Sequence, residues 1–121
     1  MRVIVRGSAT WTDRGAVFET LNRLYLQHGP FVLVHGAGAT GSDDAAHVWM
    51  QTAGRDLGCF EVPHPADFEK HGKAARSIRD KALTETGADL AVVFSTLGDE
   101  ESKQVVDLAT EAGIPVQEIA A

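Results

Sequence analysis

Hydrophobic residues along the chain switch repeatedly between two periods. Five short runs, Val3–Arg6, Phe31–His35, Cys59–Val62, Leu90–Phe94 and Val116–Ile119, predict β-strands. Leu90-Ala91-Val92-Val93-Phe94 is apolar throughout, as expected of a central parallel strand covered on both faces. Between the runs the apolar spacing lengthens to that of amphipathic helices. The first helix begins near Thr12 or Asp13 and ends near His28-Gly29, burying Val17, Leu21 and Leu24 with Phe18 and Tyr25 at their flanks. The second starts close to Ser42-Asp43 and runs to about Leu57, burying Ala46, Trp49, Met50, Ala53 and Leu57. The third, Lys73–Thr86, buries Ala75, Ile78 and Ala82, and the last, Glu100–Ala112, buries Val105, Leu108, Ala109 and Ala112. Glycines at 29, 58, 87 and 113 punctuate the helix ends, with Pro30 and Pro115 just beyond two of them.

Strands alternating this regularly with helices predict an α/β fold: a doubly wound, five-stranded parallel sheet in the order 3-2-1-4-5, with right-handed crossovers and helices on both faces. A length of 121 residues (12.9 kDa) fits one domain spanning 1–121. The longest connection is His64–Gly72.

Composition narrows the function classes. Apolar residues at 44% and charged residues at 23% exclude wholesale disorder. Eleven Lys and Arg against seventeen Asp and Glu give a net charge of −6, the wrong sign for coating duplex nucleic acid. A small anionic ligand is still compatible, because one loop and a helix terminus can capture it against the overall field. Cys59 is alone, which excludes an internal disulfide and a cysteine-rich zinc site. No apolar run approaches the ~20 residues of a membrane span, and Met1–Val5 reads as a strand rather than a signal peptide. The expected setting is cytoplasmic.

In such a sheet, ligands collect outside the carboxyl ends of the strands at the switch point. Three loops meet there: Gly7-Ser8-Ala9-Thr10-Trp11, His35 through Asp43, and Ser95-Thr96-Leu97-Gly98. The second carries the strongest signal. Gly36, Gly38 and Gly41 permit close backbone approach, and the helix starting near Ser42 adds free amides and the positive end of its dipole. Gly36, Ala37, Gly38, Gly41 and Ser42 are therefore candidates for holding phosphate or carboxylate; the bland reading is a turn that lets helix and sheet pack closely. No Lys follows the glycines as in a Walker loop, although the run formally matches G-x-G-x-x-G, and only Glu61 or Asp67 is placed to meet a ribose.

Asp43 and Asp44 begin the helix. Capping suffices for Asp44, whereas Asp43 either caps or holds ribose hydroxyls. Ser8 either donates to a phosphate or starts a turn; no nucleophile elbow surrounds it. Trp11 either stacks on a base or covers the sheet edge. Lys73, Arg76 and Arg79 recur every third residue, which favours a solvated stripe. A phosphate contact is the sharper alternative for any one of the three, and for Arg79 a salt bridge near Asp80 or with Asp67 stands beside it. His35, His47, His64 and His71 lack the i, i+4 spacing of a zinc helix, so no metal is expected, and His35 closing its strand is placed to anchor the next loop. No cofactor is expected.

Together these residues resemble the YspA-like (cpYpsA-related) branch of the SLOG superfamily, Rossmann-like proteins related to the LONELY GUY enzymes and to DNA-processing protein A. The resemblance rests on Gly7-Ser8 with Trp11 and Asp13, on His35-Gly36-Ala37 to Gly41-Ser42-Asp43 with Ala46 and Trp49, and on His64-Pro65-Ala66-Asp67-Phe68. It continues through His71-Gly72-Lys73-Ala74-Ala75 with Arg79, Gly87–Leu90 and Ala112–Val116. It implies a nucleotide or nucleotide-derived ligand over the first two loops, and a homodimer for which Trp49 and Phe68 are candidate contacts. Ala9 stands where an Arg usually follows Gly-Ser, and Arg76 and Asp80 replace a Gly and an Asn around the family's arginine. The P-G-G-x-G-T signature after the fourth strand has become Ser95-Thr96-Leu97-Gly98-Asp99-Glu100-Glu101, where added acids would repel phosphate.

The expectation is a small module that senses or sequesters such a ligand without turnover. Gly7, Ser8, Trp11, His35, Ser95, Thr96, Gly98 and Arg79 would surround the glycine loop. The rival is a LONELY GUY-like hydrolase of a nucleoside monophosphate's glycosidic bond, with Arg79 and Glu100 or Glu101 catalytic. A ligand-free protein-interaction domain is the third reading.

Overall fold

The computed structural model describes the whole chain, Met1–Ala121. Strands β1 (Arg2–Gly7), β2 (Val32–His35), β3 (Phe60–Pro63), β4 (Leu90–Ser95) and β5 (Val116–Ala120) form one sheet. All four neighbouring pairs are parallel, and the order is β3-β2-β1-β4-β5. Helices α1 (Arg14–His28) and α2 (Gly41–Trp49) follow the first two strands. A one-turn α3 (Phe68–His71) and α4 (Ala75–Glu85) carry the chain from β3 back to β4, and α5 (Glu100–Glu111) links β4 to β5.

The two faces follow from side-chain alternation along the central strands. Val3 and Val5 of β1 and Val92 and Phe94 of β4 point to the face covered by α1 and α2, where Val17, Leu21, Leu24, Trp49 and Met50 complete the larger core. Ile4 and Ala91 point the other way and meet Leu83 of α4 and Ala109 of α5 in a smaller core. Trp49 stacks on Phe31 at 5.7 Å and donates its indole N–H to Asn22, so it is sealed inside. It is therefore unavailable as the intersubunit contact suggested by sequence.

Three elements depart from the periodic reading. The second helix does not run on regularly to Leu57: after Trp49 it widens into a π turn over Met50–Gly54. The long 64–72 connection contains α3, a single turn too short to show a period, with Asp67 accepting from the Lys70 N–H as its cap. Most informative is α4, which buries Ala75, Asp80, Leu83 and Thr84, while Ile78 is 42% exposed and Ala82 is also exposed. The predicted Ala75/Ile78/Ala82 stripe is thus rotated, because the sheet presents a buried arginine to this helix. No helix is long and apolar enough to cross a membrane.

Candidate functional site

On β1, alternation puts Arg6 on the same face as Ile4, and the residue is only 2% exposed despite its charge. It survives there by being surrounded. Nη1 donates to Asp43 at 2.7 Å, Nε to Asp80 at 2.9 Å and Nη2 to Glu101 at 2.8 Å. Burial opposes the positive charge, but the three carboxylates outweigh it and hold the arginine above its ordinary pKa. Residues from β1, α2, α4 and α5 are thereby tied at the carboxyl end of the sheet, where the two halves of the fold part.

Asp43 shows how this hub shapes the glycine loop. Besides Arg6, it accepts the Gly36 N–H at 2.9 Å. Burial pushes its carboxyl upward, and Arg6, Arg79, His35 and the Gly36 amide pull it back. Gly36 fits only as glycine, since a Cβ would lie 2.5 Å from Asp43 Oδ2 and 2.7 Å from Arg79 Nη1. The Ala37 N–H goes to His35 Nδ1 at 2.9 Å. By contrast, the N–H groups of Gly38, Ala39, Thr40, Gly41 and Ser42 donate to nothing within the chain. Of the predicted amides, those of Gly36 and Ala37 are therefore taken and the later ones are free.

Gly38, Ala39 and Thr40 line a hollow of about 310 Å³. Its floor is Arg6, Gly7 and Asp43; one wall is Pro65, Ala66 and Phe68; Arg76, Arg79 and Glu101 close the remaining side. Three guanidinium groups and the carboxylates of Asp43 and Glu101 line it, and Asp80 pairs with Arg6 and Arg79 behind them, so the hollow is balanced in charge where the molecule as a whole is acidic. The two rim arginines behave differently. Arg79 is committed to the protein, donating to the Gly36 carbonyl at 2.7 Å and to Asp80 at 2.6 Å. Arg76, with its side chain 59% exposed, lies 5.6 Å over the Phe68 ring and reaches Glu101 only at 3.9 Å. The freer cation is thus Arg76, and Phe68, 54% exposed, is the aromatic surface beside it.

The other predicted residues separate into groups. Gly7 packs its α-carbon where a Cβ would meet the Phe94 carbonyl at 2.2 Å. Ser8 is buried, sharing hydrogen bonds with Thr10 (2.7 Å) and Thr96 (3.2 Å). Trp11 sits edge-on to Phe94 and donates to the Asp13 carbonyl, on the far side of the β1–α1 loop from the hollow. Ser95, Thr96, Gly98 and Glu100 line a different groove, beside β5. Asp99 caps α5 by accepting from the Ser102 N–H. Of the two acids named for catalysis, only Glu101 reaches the hollow.

On the opposite side of the glycine loop, His35 Nε2 lies 2.7 Å and His47 Nδ1 2.6 Å from Glu61 Oε2. Burial works against the Glu61 charge, yet hydrogen bonds from His47 and His35 hold its carboxyl below the ordinary range. These three side chains have ligand atoms within 4.8 Å of one another, a spacing open to a divalent ion. The tautomer argues otherwise: with Nδ1 of His35 accepting from Ala37, the neutral ring carries its proton on Nε2 and donates to Glu61. The cluster is a hydrogen-bonded relay that fixes the loop, and spacing along the sequence gave no sign that His47 and Glu61 would join His35.

Comparison with known proteins agrees with this architecture. A model of the YspA, cpYpsA-related SLOG family matches residues 1–71, more than half of the chain. The Gene 61 protein of Mycobacterium phage D29 is 36% identical over 118 residues, covering 95% of this chain and 93% of the phage protein. No solved structure gives a significant match. By the match over residues 1–71 and the full-length likeness to the phage protein, the chain belongs to the YspA, cpYpsA-related SLOG family.

Proposed function

We propose that this protein binds a nucleotide or nucleotide-derived small molecule in the hollow above Arg6. One observation carries the reading: Gly38, Ala39 and Thr40 line that hollow while their N–H groups have no partner in the chain. Burying unpaired amides against a ligand is favourable only if it supplies acceptors, and a phosphate does so with charge. Arg76 adds an exposed cation at the rim, and Phe68 adds an apolar face suited to a sugar or base. Membership of a family of nucleotide-related Rossmann-like modules supports the same choice. Calorimetric titration against mononucleotides and ADP-ribose derivatives tests it. Saturable binding weakened by Arg76→Ala is expected, and silence across the set contradicts it.

A second reading, hydrolysis of a nucleoside monophosphate at its glycosidic bond, draws on Glu101, whose carboxylate lines the hollow 3.5 Å from Arg79. It requires release of free base and loss of that release in Glu101→Gln. Glu101 is also bonded to Arg6, which holds its carboxylate in an ion pair, so binding without turnover is the better supported of the two.

A further inference from the structure

The hollow above Arg6 is not the whole of the site. Ala37 and Gly38 also line a second hollow of about 180 Å³ on the β3 side of the same loop, with His35, His47, Glu61 and Pro63. The glycine-loop backbone is therefore a partition with a compartment on each side. We infer that one ligand spans both compartments: a pyrophosphate-linked molecule carrying two sugars, with Glu61 accepting from the vicinal hydroxyls of its nucleoside ribose. This rests on the proposed function, since the first compartment is the nucleotide site described above.

Three observations lead there. First, anything occupying both hollows must cross the backbone at Gly38, where unpaired N–H groups favour a linker rich in anionic oxygens. Second, the β3 compartment has the opposite character. Its titratable lining is His35, His47 and Glu61; the Glu61 side chain is 90% buried with both ring nitrogens turned to Oε2, so the oxygen left over disfavours a phosphate beside it and accepts hydroxyl donors. Third, Glu61 has capacity left. Both histidines use Oε2, whereas Oε1 has only Arg55, itself 62% exposed, at 3.5 Å. Asp67, the other acid a ribose might have met, is occupied in capping α3. The strand, glycine turn, helix and next-strand acid thus occupy the relative places of a dinucleotide-binding βαβ unit, displaced by one strand from the centre of the sheet.

The test uses ADP-ribose, its 2′-phosphorylated form and AMP as probes, with affinities from calorimetry on the full chain. ADP-ribose is expected to bind about tenfold or more tighter than AMP, because AMP fills one compartment only. Adding the 2′-phosphate is expected to weaken ADP-ribose about tenfold in the wild type and far less in Glu61→Gln. Glu61→Gln and Arg76→Ala, on opposite sides of the partition, should each weaken ADP-ribose. Should AMP equal ADP-ribose, or should Arg76→Ala alone matter, the two-compartment inference falls while nucleotide binding stands. If no probe binds, both fall. The wild-type comparison of the two ADP-ribose forms needs no variant, so a folding defect in Glu61→Gln leaves the test decisive.

Discussion

Arg6 is the residue on which the site is hung. Its charge sits under the hollow with three carboxylates around it, and removing it leaves Asp43, Asp80 and Glu101 facing one another with Arg79 as the chief remaining counter-charge. Breaking a buried pair by deleting one partner costs far more than an exposed pair contributes. Arg6→Ala is therefore expected to lower unfolding free energy by about 3–5 kcal/mol in urea titration. Arg23→Ala, which removes an exposed bond to Glu19, should cost about 1 kcal/mol or less. Glu61 gives a pH signature. Its folded pKa lies below the unfolded value of about 4.5, so its stabilisation is fully present above that value and is lost as pH falls through the folded pKa. The stability gap between wild type and Glu61→Gln should stay level near neutrality and narrow below pH 4.5. Sequence named Glu61 as a candidate for a ribose contact but showed the buried partners of neither residue. Arg6 closes the predicted run Val3–Arg6, and its parity with Ile4 already puts it on a covered face. Glu61 and His47 lie fourteen residues apart, and only the return of the chain through α2 to β3 brings them together.

At the scale of elements, what sequence shows best is what repeats. Five strands and the four long helices were legible because each carries several apolar positions at one period, and glycines marked their ends. What failed was short or polar. α3 is one turn, and α4 was rotated because Asp80, not an aliphatic residue, faces the sheet beneath it. The glycine loop was located correctly as a feature, but its glycines divide the labour. Gly41, at φ +78°, passes so close to the β1–α1 loop that a Cβ would lie 2.3 Å from the Ser8 carbonyl oxygen. Gly41→Ala should therefore destabilise by at least about 2 kcal/mol. Gly87→Ala, equally left-handed at φ +81° but with open space around it, should cost about 1 kcal/mol. Equal losses in denaturant melts would show that strain at φ, rather than contact between the two loops, explains Gly41.

For the whole molecule, fold and field are separable. The sheet order was readable because alternating strands and helices leave few topologies with right-handed crossovers. The net charge of −6 says little about the ligand, since the hollow gathers Arg6, Arg76 and Arg79 within an acidic surface. A ligand that fits there must stabilise the folded chain, by about 2.7 kcal/mol at a hundredfold excess over its dissociation constant. A rising melting temperature with ADP-ribose, absent in Arg76→Ala at the same concentration, is the corresponding expectation. The measurement that reaches the central claim most directly is an NMR titration of the backbone amides with ADP-ribose. The N–H signals of Gly38, Ala39 and Thr40 should move together and saturate, with those of Gly36 and Ala37, already bonded to Asp43 and His35, moving less. Saturation with those three signals unmoved, or no saturable change anywhere in the spectrum, would contradict the account.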